Sequence, residues 1–274
     1  MKKLGFVKMT GAGNDFIIIE AKAGLNYKIL AEKICDRTNG LGADGLLVLD
    51  KSKKTDYRMR IINADSSEAE MCGNGARCLA AYIQRFKKPS KKVVGIETIA
   101  GIVLAEAAGE MANVRLSNPK DYRRRMSVTI HKRKLKLDAI DTGVPHAVIF
   151  VNGLKDIDVF TLGRLIRFHR AFKPRGTNVN FVEQMNSQLI AVRTYERGVE
   201  DETKACGTGS VAAALTAYQQ FHRTIANKTN VRMKVQTQNK DILEVCFDIV
   251  DGQPENVWLK GPAKFIAEGT YFLK

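Results

Sequence analysis

Two stretches decide the fold: MCGNGARCLAAYI at 71–83 and ACGTGSVAAALTAY at 205–218. Each places a cysteine ahead of a glycine-rich step and then an apolar helical pattern. Leu79, Tyr82, Ile83 and Phe86 fall at i, i+3, i+4 and i+7, as do Val211, Ala214, Leu215 and Tyr218. Working outward, the likeness continues in the same order. GADGLLVLD (42–50) lies over GTNVNFVEQ (176–184), with Asp44 and Asn178 at the same offset before Cys72 and Cys206. RIINADSSE (60–68) lies near RTYERGVED (193–201), and GNDFIII (13–19) near VPHAVIF (144–150). Four matches in one order point to an internal duplication of the 274-residue chain.

The remaining pattern is mostly strand: FIIIE, LLVLD, YRMRII, VVGIETI, IVLAE, ANVRL, AVIFV, NVNFVE, LIAVRTY, NVRMKV, LEVCF and NVWLK. Two further helices are predicted, at about 26–37 and about 160–171. The expected fold is therefore α+β, with two strand-rich halves, each built around one apolar helix that starts at a cysteine. GLGADG (40–45) matches GxGxxG, but it leads into the strand LLVLD rather than opening a helix, so it reads as a turn and not as a dinucleotide site.

The chain carries 44 Lys and Arg against 29 Asp and Glu, a net charge of +15. The basic residues sit in short runs (Lys51 to Lys54, Lys87 to Lys92, Arg123 to Arg125, Lys132 to Lys136) that read as turns or solvated strand faces, with almost no interleaved aromatics. No nucleic-acid partner is expected. No apolar stretch is long enough to span a bilayer, and MKKLGFVKMT lacks the apolar core of a signal peptide, so a cytoplasmic protein without membrane contact is expected. Five cysteines (35, 72, 78, 206, 246) without a CxxC pair, and four histidines without ligand spacing, favour neither a disulfide framework nor a metal site.

A Cys-Gly-x-Gly run at a helix start puts the thiol beside unbonded backbone N–H groups and the positive end of the helix dipole. Those features favour thiolate, and the glycines let a carboxylate approach the same donors. Cys35, Cys78 and Cys246 lie inside helix or strand patterns and read as packing residues. Cys72 and Cys206, one per half, could hold one substrate between two thiols. Inverting an α-carbon removes a proton from one face and delivers another to the opposite face, which needs such a pair as base and acid. A cysteine hydrolase would instead want one Cys with a His base; His146 is available, but a second Cys-Gly site has no role there.

KMTGAGNDFI (8–17), GLGADG (40–45), NADSSEAEMCGNGARC (63–78), DTGVPHAV (141–148), GTNVNF (176–181), YERG (195–198) and ACGTGS (205–210) together resemble the diaminopimelate epimerase family. The resemblance implies two pseudo-symmetric domains, each a barrel-like mixed β-sheet around a central α-helix, with residues 1–120 plus 264–274 in one and 121–263 in the other. It implies interconversion of LL- and meso-diaminopimelate, on the route to lysine and peptidoglycan, without pyridoxal phosphate, metal or other cofactor. It places the acid/base pair at Cys72 and Cys206. Gly73, Asn74, Gly207 and Thr208 would bind the reacting carboxylate. Asn14, Asn63, Asn178 and Arg197 would hold the rest of the substrate, Glu196 would bind its amino group, and His146 and Glu196 would tune the thiols. Gly45 and Val144 stand where some members carry Gln and Asn. Ala267 stands where some members carry a dimer-contact Tyr, so a homodimer is left open. Proline and hydroxyproline racemases share the paired cysteines but typically show His at the position of Asn74, and phenazine-type isomerases normally lack the pair.

Overall fold

The computed structural model describes residues 2–222 and 227–273. They form two compact units, Met1–Arg115 with Lys260–Lys274, and Leu116–Leu259. These bounds lie a few residues from the sequence-based division at 120/121 and 263/264, because the first unit's sheet ends at Arg115 and the returning chain rejoins that unit before residue 264.

In the first unit the order is β1 (Lys2–Gly11), β2 (Asn14–Glu20), α1 (Tyr27–Ile34), β3 (Gly45–Lys51), β4 (Tyr57–Asn63), β5 (Glu68–Ala69), α2 (Gly73–Tyr82), β6 (Val94–Thr98), β7 (Gly101–Ala108) and β8 (Met111–Arg115). In the second it is β9 (Lys120–Ile130), β10 (Arg133–Asp141), β11 (Pro145–Phe150), α3 (Val159–Arg167), β12 (Asn178–Gln184), β13 (Leu189–Glu196), β14 (Asp201–Thr203), α4 (Gly207–Phe221), β15 (Lys228–Gln236) and β16 (Ile242–Val250). Strand β17 (Gln253–Pro262) leads back to the first unit, where β18 (Lys264–Leu273) pairs with β1.

The duplication is written in the hydrogen bonding. β2 runs parallel to β3 and β11 parallel to β12, each pair joined through a helix, α1 or α3. The next strand is antiparallel in both cases, β3 with β4 and β12 with β13, and a parallel neighbour follows, β6 beside β4 and β15 beside β13. β18 lies against β1 as β9 lies against β10. Each unit is thus a mixed sheet of one topology.

Both sheets wrap a helix. α2 packs against β1, β2, β3, β4, β7 and β8, and α4 against β10, β11, β12, β13, β15 and β16. A helix contacted on all sides buries its whole circumference, and residues 74–83 and 209–219 are buried throughout, mostly apolar side chains with the polar Asn74, Arg77, Ser210, Thr216 and Gln219 among them. Fully burying a side chain such as Leu79 or Leu215 stabilises by about 1.5–3 kcal/mol, so these helices are anchored by their whole circumference. Small residues make room: at Gly11 a Cβ would stand 3.0 Å from Cys78 Sγ and 3.1 Å from the Asn74 carbonyl, so glycine lets β1 cross α2 closely there. The GLGADG stretch is a turn leading into β3, with Gly42 at φ +70°, which glycine adopts without strain. Among the described residues no helix is long and apolar enough to cross a membrane.

Candidate active site

Each cysteine singled out in the sequence is the N-cap of its unit's central helix. Cys72 precedes α2 with extended backbone, φ −141° and ψ 117°, and its Sγ accepts the Gly75 N–H at 3.5 Å. Cys206 precedes α4 at φ −114° and ψ 115°, and its Sγ accepts the Gly209 N–H at 3.4 Å. The next amide is spent alike in both: Ala76 N donates to Cys72 O and Ser210 N to Cys206 O, each at 2.9 Å. The N–H groups of Gly73 and Asn74, and of Gly207 and Thr208, precede any intrahelical acceptor, so the helix itself offers them to an anion. A sulfur that accepts backbone N–H bonds more strongly as thiolate than as thiol. Inside the packed core, burial pushes Cys35 and Cys78 up to about 12, which leaves these two thiols protonated at neutral pH.

Around Cys72 the first unit gathers Gly73, Asn74 and Asn14. Asn74 Nδ2 donates to Asn14 Oδ1 at 2.6 Å, and Asn14 Nδ2 donates to Asp44 Oδ2 at 2.9 Å. Asn14 opens β2 and Asp44 ends the loop before β3, and the parallel pairing of those strands brings them together. Asn63 stands apart from this chain of amides. It ends β4 opposite Gly45, and its Nδ2 donates to Ser67 Oγ at 2.9 Å within its own turn.

Around Cys206 the second unit gathers Gly207, Thr208, Glu196, Arg197, Asn178 and His146. Glu196 hydrogen-bonds Cys206 and accepts Thr203 Oγ1 at 2.9 Å; burial pushes its carboxyl above the usual carboxylate range, and those two hydrogen bonds pull it part of the way back. Asn178 is buried and braces two strands, donating to the Pro145 carbonyl at 3.1 Å and accepting the Arg197 N–H at 2.8 Å. The Arg197 guanidinium donates to the Arg175 carbonyl at 3.4 Å. Thr142 Oγ1 donates to the Thr208 carbonyl at 3.0 Å, tying the β10–β11 turn to the start of α4.

Asn180 links His146 to the start of α4 at Gly209. Asn180, inside GTNVNF, has its Nδ2 3.1 Å from His146 Nδ1 and 3.0 Å from the Ala147 carbonyl, while its Oδ1 accepts Thr194 Oγ1 at 3.0 Å. Oδ1 also lies over Gly209, beside the Cys206 thiol. Asn180 is one letter of a motif with no role attached to it, and Thr194 and Thr203 lie outside every motif. Only the i, i+2 alternation along β12, which puts Asn178 and Asn180 on one face, hints at a role.

A profile of the diaminopimelate epimerase family matches residues 6–120 and 139–264. The chain belongs to the diaminopimelate epimerase family. The diaminopimelate epimerase of Chlorobaculum tepidum is 37% identical over 270 residues, which cover 97% of this chain and 100% of the relative. That of Methanocella arvoryzae is 43% identical over 239 residues, covering 79% of this chain and 82% of the relative. Among solved structures, a Bacillus anthracis phenazine biosynthesis protein of the PhzF family is similar at a TM-score of 0.74, with 16% identity and 100% of both chains covered. That likeness is one of fold.

In this member of the diaminopimelate epimerase family, His146 is neutral. Burial first, and the nearby Arg197 charge second, lower its pKa to about 3. The unfolded chain takes up a proton near 6.5 that the native ring refuses, so this residue's contribution to stability falls as pH drops through 6.5 toward 3. His146→Gln is expected to flatten that acid limb, read by urea unfolding near pH 7 and near pH 5. Parallel pH profiles for variant and wild type would contradict the assignment.

Proposed function

We propose that the chain converts LL-diaminopimelate to meso-diaminopimelate, with Cys72 and Cys206 exchanging the α-proton on opposite faces of one carbon. The observation that carries this reading is the repeated cap: in each unit a cysteine Sγ accepts the N–H of the third helical residue at the start of a buried central helix. One thiolate removes the proton and the other thiol delivers one, so both proton carriers are side chains and no cofactor enters the scheme. The charge that builds on the substrate carboxylate meets backbone N–H groups of Gly73, Asn74, Gly207 and Thr208, which are oriented before the reaction starts.

Asn14, Asn63, Asn178 and Arg197 then hold the substrate, Arg197 by pairing with a carboxylate. Glu196 has two parts in the scheme, binding the amino group and exchanging a hydrogen bond with the Cys206 thiol. A neutral His146 acts on that thiol by fixing Asn180 beside it rather than by charge. On this reading the substrate is a small molecule, the protein works in the cytoplasm without nucleic acid or membrane as partner, and the two epimerase domains, 1–120 plus 264–274 and 121–263, each contribute one cysteine.

The test is turnover by the reduced protein of a small panel: LL-diaminopimelate, proline and hydroxyproline, with stereoisomers resolved by chiral chromatography. Conversion of diaminopimelate alone is expected. Conversion of proline or hydroxyproline without diaminopimelate would move the protein to another racemase specificity.

A further inference from the structure

The polar chain behind the start of α2 has a direction, and its two ends are residues outside the proton transfer. Arg77, one turn into α2, is fully buried and donates from Nη2 to Asn74 Oδ1 at 2.7 Å. Asn74 donates to Asn14 and Asn14 to Asp44, as described above. A carboxamide alone can be turned either way round, because its oxygen and nitrogen are nearly the same shape. Here a guanidinium, which only donates, stands at one end, and a carboxylate, which only accepts, at the other. Between them each amide has one permitted orientation: both oxygens face the Arg77 side and both nitrogens the Asp44 side. Each Nδ2 uses one hydrogen in the chain and keeps a second, available to an anionic ligand. A reversed amide would turn its oxygen to that ligand and repel it.

We propose that Arg77 and Asp44 are positioning residues that fix the polarity of the Asn74 and Asn14 amides, so that both offer N–H to a substrate carboxylate. The inference rests on the reading of Asn14 and Asn74 as substrate-binding groups. It is particular to the Cys72 half: in the repeat, Val211 stands at the place of Arg77 and Asn178 at that of Asp44. Asp44 is suited to the task because three donors converge on it. Oδ2 takes Asn14 Nδ2 and, at 3.1 Å, the Asp15 N–H, while Oδ1 takes Arg37 at 2.7 Å. An amide in its place has one oxygen and must turn its nitrogen toward a donor on one side.

Asp44→Asn gives the test, since the residue is partly exposed and the fold does not depend on its burial. The variant is expected to raise KM for LL-diaminopimelate about tenfold, the loss of one oriented hydrogen bond, with kcat within about threefold. Coulomb's law alone predicts the opposite sign, because removing a carboxylate near a carboxylate-binding site strengthens binding. At the other end, Arg77→Lys keeps a donor-only group and is expected to restore most of the affinity lost in Arg77→Gln. A readout free of turnover is hydrogen exchange at the Asn14 and Asn74 side-chain amides, expected to be slow in the wild type and faster in Asp44→Asn. A folded Asp44→Asn with unchanged or lowered KM overturns the proposal. If the wild type does not act on diaminopimelate, the functional reading fails, and the exchange rates alone decide: faster exchange in Asp44→Asn supports the fixed polarity, and equal exchange overturns it.

Discussion

Replacing Cys72 or Cys206 with alanine is expected to slow net inversion of diaminopimelate by about a thousandfold, within the usual range for loss of a positioned acid or base. The two losses are expected to be alike in size and non-additive, because one inversion needs both thiols and a unit that has lost one member gains little from the other. Each single variant retains one thiol and should still exchange the α-proton of one stereoisomer with solvent, without inverting it. The fold should survive: an alanine N-cap gives up about 1 kcal/mol of helix-end stabilisation, while α2 and α4 remain enclosed on all sides. The measurement is steady-state epimerisation beside thermal unfolding for both variants and the double variant. Normal epimerisation by the double variant would remove thiol chemistry from the account.

Gly209→Ala is expected to be far more damaging than Gly75→Ala, although the two glycines hold the same place in the repeat. Alanine is favoured over glycine inside a helix by about 1 kcal/mol, so propensity alone predicts that both changes stabilise. At Gly75 the new methyl would meet Leu47 Cδ2 at 3.2 Å, an apolar contact in which a few tenths of an ångström of adjustment breaks no hydrogen bond, and the balance should stay within about 1 kcal/mol of neutral. At Gly209 it would run into Asn180 Oδ1 and stand 3.2 Å from Cys206 Sγ. Asn180 cannot yield, because it is fully buried and tied to His146, Ala147 and Thr194. Overpacking of about 1–3 kcal/mol, with one or more of those hydrogen bonds strained, outweighs the propensity gain. Gly209→Ala should therefore melt several degrees lower and lose activity about a hundredfold through the displaced thiol, as the cost of a small misplacement at a reacting group. Equal stability and activity of the two alanine variants would show that Asn180 is not the rigid support described above.

Much of the fold was legible because burial writes itself into sequence period. FIIIE, LLVLD and NVNFVE are strands whose residues are buried on both faces, and they read as short apolar runs. The helix starts were legible from Cys-Gly-x-Gly because an apolar pattern of helical period follows each of them directly. What the pattern hid were charge-rich strands near the start of each unit. β9 carries the Arg123 to Arg125 run and is exposed along most of its length, so no alternation marks it, and β1 read as a basic terminus although Leu4, Val7 and Met9 are buried. In the site, the residue types were legible and their couplings were not. Asp44, Arg77 and Asn180 are single letters of GLGADG, CGNGARC and GTNVNF in the sequence, and nothing there joins them to their partners, because the direction of a hydrogen-bond chain exists only once the strands are side by side. Asn63 and Asn178 illustrate the converse. Both are named by the family resemblance, yet their amides also fasten backbone or a turn.

If Cys72 and Cys206 are opposed acid and base, the isotope content of the first turnovers must show it. Reduced wild-type protein is given LL-diaminopimelate in deuterium oxide, and the reaction is stopped early, with product and remaining substrate analysed separately by mass spectrometry. Two opposed thiols predict one deuterium in essentially every molecule of meso product, at the inverted carbon, while the remaining LL substrate stays protiated. Product that retains the substrate's own hydrogen would mean a single group carries the proton across, and the assignment of Cys72 and Cys206 as opposed acid and base would be wrong.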